Sequence, residues 1–528
     1  MADLIHELIL QSADRTPGNA ALRYKDTEQN YDQLAGHLLA CARGLGALGL
    51  EPNERVAVYL EKRLEAAIGL FAAAAAGGVF VPVNPLLKPP QVGYILRDCN
   101  VRVLITSASR LAQLTEELEH CHDLHTVVVV DGPGEARPRG VDILTWGDWP
   151  EPRSAALPRR IDTDMAAILY TSGSTGQPKG VVLSHRNMVA GARSVAQYLE
   201  NRPDDRLLAA LPLSFDYGLS QLTTAFHVGA CTVLMNYLLP RDVIRTAEKE
   251  RITGLAAVPP LWIQLAQLEW PETVTGHLRY ITNSGGAMPR TTLSTLRQAL
   301  PETRAFLMYG LTEAFRSTYL PPEEVDRRPE SMGKAIPNAE VLGLREDGSP
   351  CAPNEPGELV HRGALVSMGY WNAPEKTAER FRHIPGRPGG ITTPELAVWS
   401  GDTVRMDDEG FLYFVGRRDE MIKTSGYRVS PSEVEEVVYA TGLVTEAVAV
   451  GVPHPTLGEA IVLVAQGHEG TALEPDALTA ACKRELPTFM VPAHIELRQE
   501  SLPRNANGKI DRKALQGALT NLFSGDDA

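Results

Sequence analysis

Over the first four hundred residues, short β-rich runs alternate with stretches of helical pattern, and that alternation restricts the fold more than any other feature. "RVAVYL" (55–60), "VFVPV" (79–83), "VRVLIT" (101–106) and "TVVVV" (126–130) read as strands, and "RLLAALPL" (206–213), "CTVLM" (231–235) and "ITGLAAV" (252–258) repeat the scheme. Strands alternating with helices of this length indicate an α/β fold with largely parallel sheets packed by helices. Residues 131–160 are rich in Pro, Gly and Arg without periodicity and read as a surface connection. The uncharged stretch "AAIGLFAAAAAGGVFVPV" (66–83) approaches the length of a membrane span. It is mostly alanine, however, and Gly77-Gly78 interrupts it before β-formers and Pro82. It is predicted as a buried helix turning into a strand, not a membrane span.

Near Gly416 the texture changes. "GFLYFVGRRDEMIKTSGYRVSPSEVEEVV" passes from a strand through a charged joint into a helix start, where Ser430, Pro431 and Glu433 form a capping-box pattern. Two strand-like runs, "EAVAVGVP" (446–453) and "EAIVLVAQ" (459–466), and a helix from about Glu474 to Glu485 follow. The expectation is a large N-terminal domain over 1–416 and a small mobile α+β domain over 417–528, joined so that relative motion is the default.

The formal net charge of −14 argues against a nucleic-acid surface and against attraction to anionic lipid. Six cysteines, Cys41, Cys99, Cys121, Cys231, Cys351 and Cys482, lie far apart without a C-x-x-C pair, which fits a reducing, cytoplasmic setting. The N-terminus carries Asp3, His6 and Glu7 where a signal peptide needs an unbroken apolar core, and reads as a short amphipathic helix.

The stretch "ILYTSGSTGQPKGVVLSH" (168–185) reads as strand, loop, strand, with a loop of small and hydroxylated residues that offers backbone N–H groups and hydroxyls to a polyphosphate. A Walker A loop would need its second glycine directly before the lysine and a helix after it. Here Gln177-Pro178 separate Gly176 from Lys179, and a strand follows, so the P-loop reading fails. "YTSGSTGQPKG" resembles instead the phosphate loop of the adenylate-forming superfamily: acyl-CoA synthetases, peptide-synthetase adenylation domains and luciferases. "MYGLTE" (308–313), "GELVHRG" (357–363), "WSGDTVRMDDEGFLYFVGRRDEMIKTSGYRV" (399–429) and "PRNANGKIDRKAL" (503–515) follow in that family's order.

The resemblance implies a reaction in which a carboxylate attacks the α-phosphorus of ATP, giving acyl-AMP and pyrophosphate. Both reactants are anions, so cations must neutralise them and hold the line of attack. It assigns Thr171, Ser172, Gly173, Ser174, Thr175, Gly176 and Lys179 to the β- and γ-phosphates, Thr312 to the α-phosphate, and Glu313 to Mg²⁺. Tyr309 would stack on adenine, Asp402 would accept the ribose hydroxyls, and Arg417 would contact the nucleotide near the joint. Lys509, in "NGK", would bridge the incoming carboxylate and the ribose-side oxygens, and Asp419 would be the hinge about which the small domain turns.

By the same resemblance, "LPLSFDYGLSQLTTAFHVGA" (211–230) forms one wall of the acid pocket, with Phe215, Asp216, Tyr217, Ser220, Ser284, Met308, Arg316 and Ser317 as lining. An Asp at position 216 matches the residue that binds an α-ammonium in amino-acid adenylation domains. Arg316 could pair with Asp216, which would neutralise the pocket, or meet a second acidic group on the substrate. The substrate is therefore expected to be an amino acid, with a fatty or aryl acid as the alternative. Subgroup likeness points to exosortase-associated AMP-forming ligases and stand-alone prolyl-type adenylation enzymes. The expected acceptor is CoA or the phosphopantetheine of a free-standing carrier protein, since no carrier helix follows "NGKIDRKAL".

Overall fold

A computed structural model describes residues 2–151, 156–171, 178–385, 395–417, 420–424, 427–468, 473–505 and 509–523. Among these residues, two large sheets and one small one carry the architecture. The first large sheet orders its strands Asp142–Thr145, Thr126–Val129, Val101–Thr106, Arg55–Tyr59, Val79–Pro82, Met165–Thr171 and Lys179–Ser184. All neighbours in it run parallel except the last pair. The strands Thr126–Val129, Val101–Thr106, Arg55–Tyr59 and Val79–Pro82 are short and largely apolar, as expected where helices cover both faces. The strand Asp142–Thr145 lies inside the stretch expected to be a mere surface connection; it adds an edge to Thr126–Val129. Its half-exposed, mixed residues gave no alternation to detect.

The second large sheet is mixed. Strands Arg206–Ala209, Cys231–Leu234, Gly254–Ala257, Tyr280–Asn283 and Arg304–Tyr309 are parallel. From Thr318–Leu320 onward the chain returns on itself, and Ser331–Ala335, Ala339–Leu344, Gly357–Gly363, Leu396–Met406 and Leu412–Arg417 pair antiparallel. The expectation of largely parallel sheets therefore holds only up to Tyr309. Beyond it, short turns replace the crossover helices, and antiparallel pairing is what short connections permit.

The helix Leu64–Ala75 fills the space between the two sheets, with Ala66 to Ala75 all buried. Its alanines allow close approach, and Phe71 spans the gap: its ring meets Phe80 at 6.5 Å and Phe226 at 5.2 Å between centroids. Burying one such ring contributes about 1.5–3 kcal/mol. The uncharged stretch is thus an internal helix, and among the described residues no helix is long and apolar enough to cross a membrane.

From Ile422 on, strands Ile422–Thr424, Tyr427–Val429, Val444–His454, Gly458–Gly467 and His494–Arg498 form a separate small sheet with helices Pro431–Ala440, Pro475–Glu485 and Arg512–Leu519. Their apolar side chains pack against one another. Ser430 is the N-cap of Pro431–Ala440, but the predicted capping-box bond is not made. The hydroxyl is buried and turned towards Gly416, and burial raises the pKa of Glu433.

Candidate active site

Three groups of side chains converge on the cleft between the second large sheet and the small sheet. The first surrounds the phosphate loop. Thr171 ends one strand and Lys179 begins the next, and the two pair directly, so the loop leaves and re-enters the sheet at one point. Ser172, Gly173, Ser174, Thr175 and Gly176 lie outside the described residues. The Lys179 ammonium sits 5.3 Å from the centroid of the Tyr370 ring, and the Tyr370 hydroxyl donates to Glu313 Oε1 at 2.6 Å. Glu313 stands with Thr312 in the 3₁₀ turn Thr312–Ala314, and its carbonyl accepts from the Ser367 N–H at 2.8 Å. Burial lowers the pKa of Lys179, and repulsion from Lys376 and Arg380 adds to this while Glu313 opposes it. Lys376 and Arg380 lie on the short helix Pro374–Arg380, and Arg380 is held by the Trp399 carbonyl at 3.2 Å. Sequence reasoning passed over Tyr370, Lys376 and Arg380. The signal that could have found them is a pair of cations at i and i+4, which share one helix face directly after "GYW".

The second group is built on adjacent strand ends. Asp402 and Arg417 are opposite one another in register, with Arg417 Nε 3.4 Å from Asp402 Oδ1. Tyr309, the last residue of Arg304–Tyr309, donates its hydroxyl to the other Asp402 oxygen. Burial first, then the neighbouring carboxylate, pushes the Tyr309 pKa far up, so the hydroxyl stays a donor. Asp419 lies outside the described residues.

The third group is the set of residues expected to line the acid pocket. Phe215 precedes the helix Asp216–Val228, and Asp216 is its first residue, where the helix end favours a carboxylate. A Cβ on Gly218 would lie 1.9 Å from the Pro212 carbonyl oxygen, so the first turn can sit against the preceding loop only because residue 218 has no side chain. Tyr217, Ser220, Ser284, Met308, Arg316 and Ser317 are all buried. Tyr217 bonds through its hydroxyl to Thr282 at 2.6 Å, Met308 Sδ accepts from Tyr198 at 3.0 Å, and Ser317 meets His361 Nδ1 at 2.9 Å. Ser220 shares its hydroxyl with Thr224 at 3.4 Å.

Of the two partners foreseen for Arg316, the structure supplies the protein one: Nη1 donates to Asp216 Oδ2 at 2.6 Å. The guanidinium lies over the Tyr217 ring, 4.8 Å from its centroid. Phe315, just before it, has φ +57° and ψ −48°, a conformation that costs about 1–3 kcal/mol for a residue with a side chain. Its ring is fully buried, packed where Gly191 leaves room, and this fixes the backbone from which Arg316 extends.

Lys509 reaches the pocket from the far side of the cleft. Its Cε lies 3.8 Å from where a Cβ on Gly285 would stand, next to Ser284, and Gly285 itself has φ +82°. The lysine keeps a solvent-exposed face. Burial of its ammonium end nevertheless lowers the pKa, with attraction to Asp216 and Asp402 acting against this and Arg417 adding to it. Its N–H and C=O both bond Asn505, which closes the turn that carries it. An ion pair from Arg290 Nε to Glu436 at 3.1 Å also bridges the cleft. Lys179 and Glu313 thus meet at Tyr370, Tyr309 and Arg417 meet at Asp402, Arg316 pairs with Asp216, and Lys509 lies beside Gly285.

Comparison with known proteins identifies the family to which the chain belongs. Residues 9–371 match the AMP-binding enzyme family and residues 433–509 the AMP-binding enzyme C-terminal domain. The chain is 32% identical to an L-proline–[L-prolyl-carrier protein] ligase of Streptomyces coelicolor, over 92% of this chain and 91% of that protein. It is 31% identical to tyrocidine synthase 2 of Brevibacillus parabrevis over 97% of this chain but only 13% of that protein, so it spans a small part of the length of the large synthases it matches. Among solved structures, O-succinylbenzoate coenzyme A synthetase from Bacillus subtilis in complex with ATP and magnesium ion superposes with a TM-score of 0.81 at 27% identity, covering 96% of this chain and 98% of that one. With more than half of its residues matched and a full-length relative above 30% identity, the chain belongs to the AMP-binding enzyme family, the adenylate-forming ligases.

Proposed function

We propose that the protein activates an amino acid with ATP and passes it to a phosphopantetheine thiol. In the first step a carboxylate oxygen forms a bond to the α-phosphorus, the bridging bond to the β-phosphate breaks, and pyrophosphate leaves. In the second step the thiol sulfur attacks the acyl carbon, and AMP departs with the bonding pair. The observation that carries the reading is Asp216, the first residue of its helix, whose part-exposed carboxylate can accept an ammonium. The function of the Streptomyces relative, a prolyl-carrier protein ligase, supports both the amino acid and the carrier protein.

Within this reading Lys509 holds the attacking carboxylate against the α-phosphate. Thr171, Lys179 and the loop 172–176 bind the leaving pyrophosphate, and Thr312 the α-phosphate. Tyr309 packs on the adenine, Asp402 accepts the ribose hydroxyls, and Arg417 secures Asp402. Magnesium takes one or two protein carboxylates and fills its remaining positions with phosphate oxygens and water. Glu313, with one oxygen steadied by Tyr370, fits that demand, and the ion would neutralise phosphate charge during attack. For the second step, residues 417–528 turn about Asp419 against the core 1–416 and withdraw Lys509.

One observation favours a second reading, a ligase for a fatty or aryl acid: Asp216 already holds an arginine. Pyrophosphate exchange with amino, fatty and aryl acids decides between them. Exchange with amino acids is expected; exchange confined to the other two classes would replace the proposal. Adding CoA or a carrier protein to the active pair identifies the acceptor.

A further inference from the structure

Arg316 is 1% exposed, and its charge is only partly used. Nη1 donates to Asp216 and to the Phe315 carbonyl, but Nε and Nη2 have no hydrogen-bond partner among the described residues. Those two nitrogens form one edge of the planar guanidinium, the edge that grips a carboxylate with two parallel bonds. Elsewhere in this chain the same edge does so: Arg279 Nε and Nη2 hold the two Asp205 oxygens at 2.9 and 2.7 Å, and Arg186 Nε and Nη2 hold the two Asp162 oxygens at 2.7 and 3.1 Å. Leaving buried charged donors unmet is costly, and it is rare enough in folded proteins to require a reason.

Asp216 shows the complementary feature. Oδ2 is taken by Arg316, while its side chain retains 17% exposure against 2% for the arginine. The carboxylate therefore still has an accessible part. A zwitterionic amino acid with no further charge would leave the arginine edge bare. A monocarboxylate without an amine would leave both that edge and the open side of Asp216 unmet. An amino acid with a second carboxylate brings an ammonium for the one and the acceptor that the other lacks.

Building on the proposed amino-acid activation, we infer that the acid is an amino acid carrying a second carboxylate. Its ammonium meets the open side of Asp216, its second carboxylate meets the Nε/Nη2 edge of Arg316, and its reacting carboxylate meets Lys509. Asp216 and Arg316 then form one recognition unit for both charges of the substrate.

The test is pyrophosphate exchange by the full chain with matched pairs, aspartate against asparagine and glutamate against glutamine, alongside proline, succinate and glutarate. In at least one pair the acid should exceed its amide in kcat/KM by about 10- to 100-fold, the worth of one to two charge-assisted hydrogen bonds. Arg316→Met should erase that preference, chiefly through KM. Preference for an amide or for proline would overturn the inference while leaving amino-acid activation standing; the arginine edge would then be a water site. Preference for succinate or glutarate, or for none of these acids, would overturn both. If Arg316→Met fails to fold, the paired comparison on the natural chain decides alone.

Discussion

At the scale of single residues, Lys509 offers the sharpest separation of the two half-reactions. Lys509→Ala should lower pyrophosphate exchange by about 10²- to 10³-fold, the usual cost of losing one charge-stabilising group. Thioester formation from supplied acyl-AMP should be nearly unchanged. Equal loss in both assays would mean that the lysine supports the fold rather than the first step. Lys509, Asp402 and Arg417 were legible in the sequence because each sits in a turn or strand-end motif whose order along the chain is distinctive. The pairing of Arg316 was not. Its partner lies a hundred residues away, and only the packing of Phe315 and the helix Asp216–Val228 selects between the two candidates. Tyr370 was invisible for a related reason: an aromatic in a loop looks like core until its hydroxyl is seen on Glu313.

At the scale of elements, the helix Asp216–Val228 depends on a residue that normally weakens helices. Ala in place of Gly usually stabilises a helix interior by about 1 kcal/mol. At Gly218 the added carbon would meet the Pro212 oxygen at 1.9 Å, and forced overpacking costs about 1–3 kcal/mol, so the clash should win. Gly218→Ala is expected to lower Tm and to raise KM for the acid more than KM for ATP, because the displaced turn carries Asp216. An unchanged Tm would show that the turn gives way freely. Most elements could be read from apolar runs and their lengths. The failures were local: Asp142–Thr145 has no alternation, and Ser430 has cap chemistry but turns its hydroxyl elsewhere.

For the whole molecule, buried histidines couple stability to pH. Burial lowers His6 to about 4, His185 to about 3 and His361 to about 4. His185 Nδ1 accepts the Ile5 N–H at 3.1 Å and so fastens the N-terminal segment to the core. In the unfolded chain these side chains bind protons below about pH 6.5, whereas in the folded chain they stay neutral. Stability should therefore be full above that pH and fall as the pH drops towards the folded values, by roughly 1–2 kcal/mol for each histidine between about pH 7.5 and 5. Urea midpoints across that range provide the check. A flat profile would mean that these histidines are protonated in the folded protein.

The passage of Lys509 beside Gly285 has a consequence for how such a protein tolerates change. The stem of the lysine passes at contact distance, 3.8 Å, from where a Cβ on Gly285 would stand, and Gly285 itself has φ +82°. A side chain reaching beyond its Cβ there would act as a doorstop, holding the two halves apart in the closed arrangement proposed for the first step. Activity would then be silenced with every reacting atom still in place.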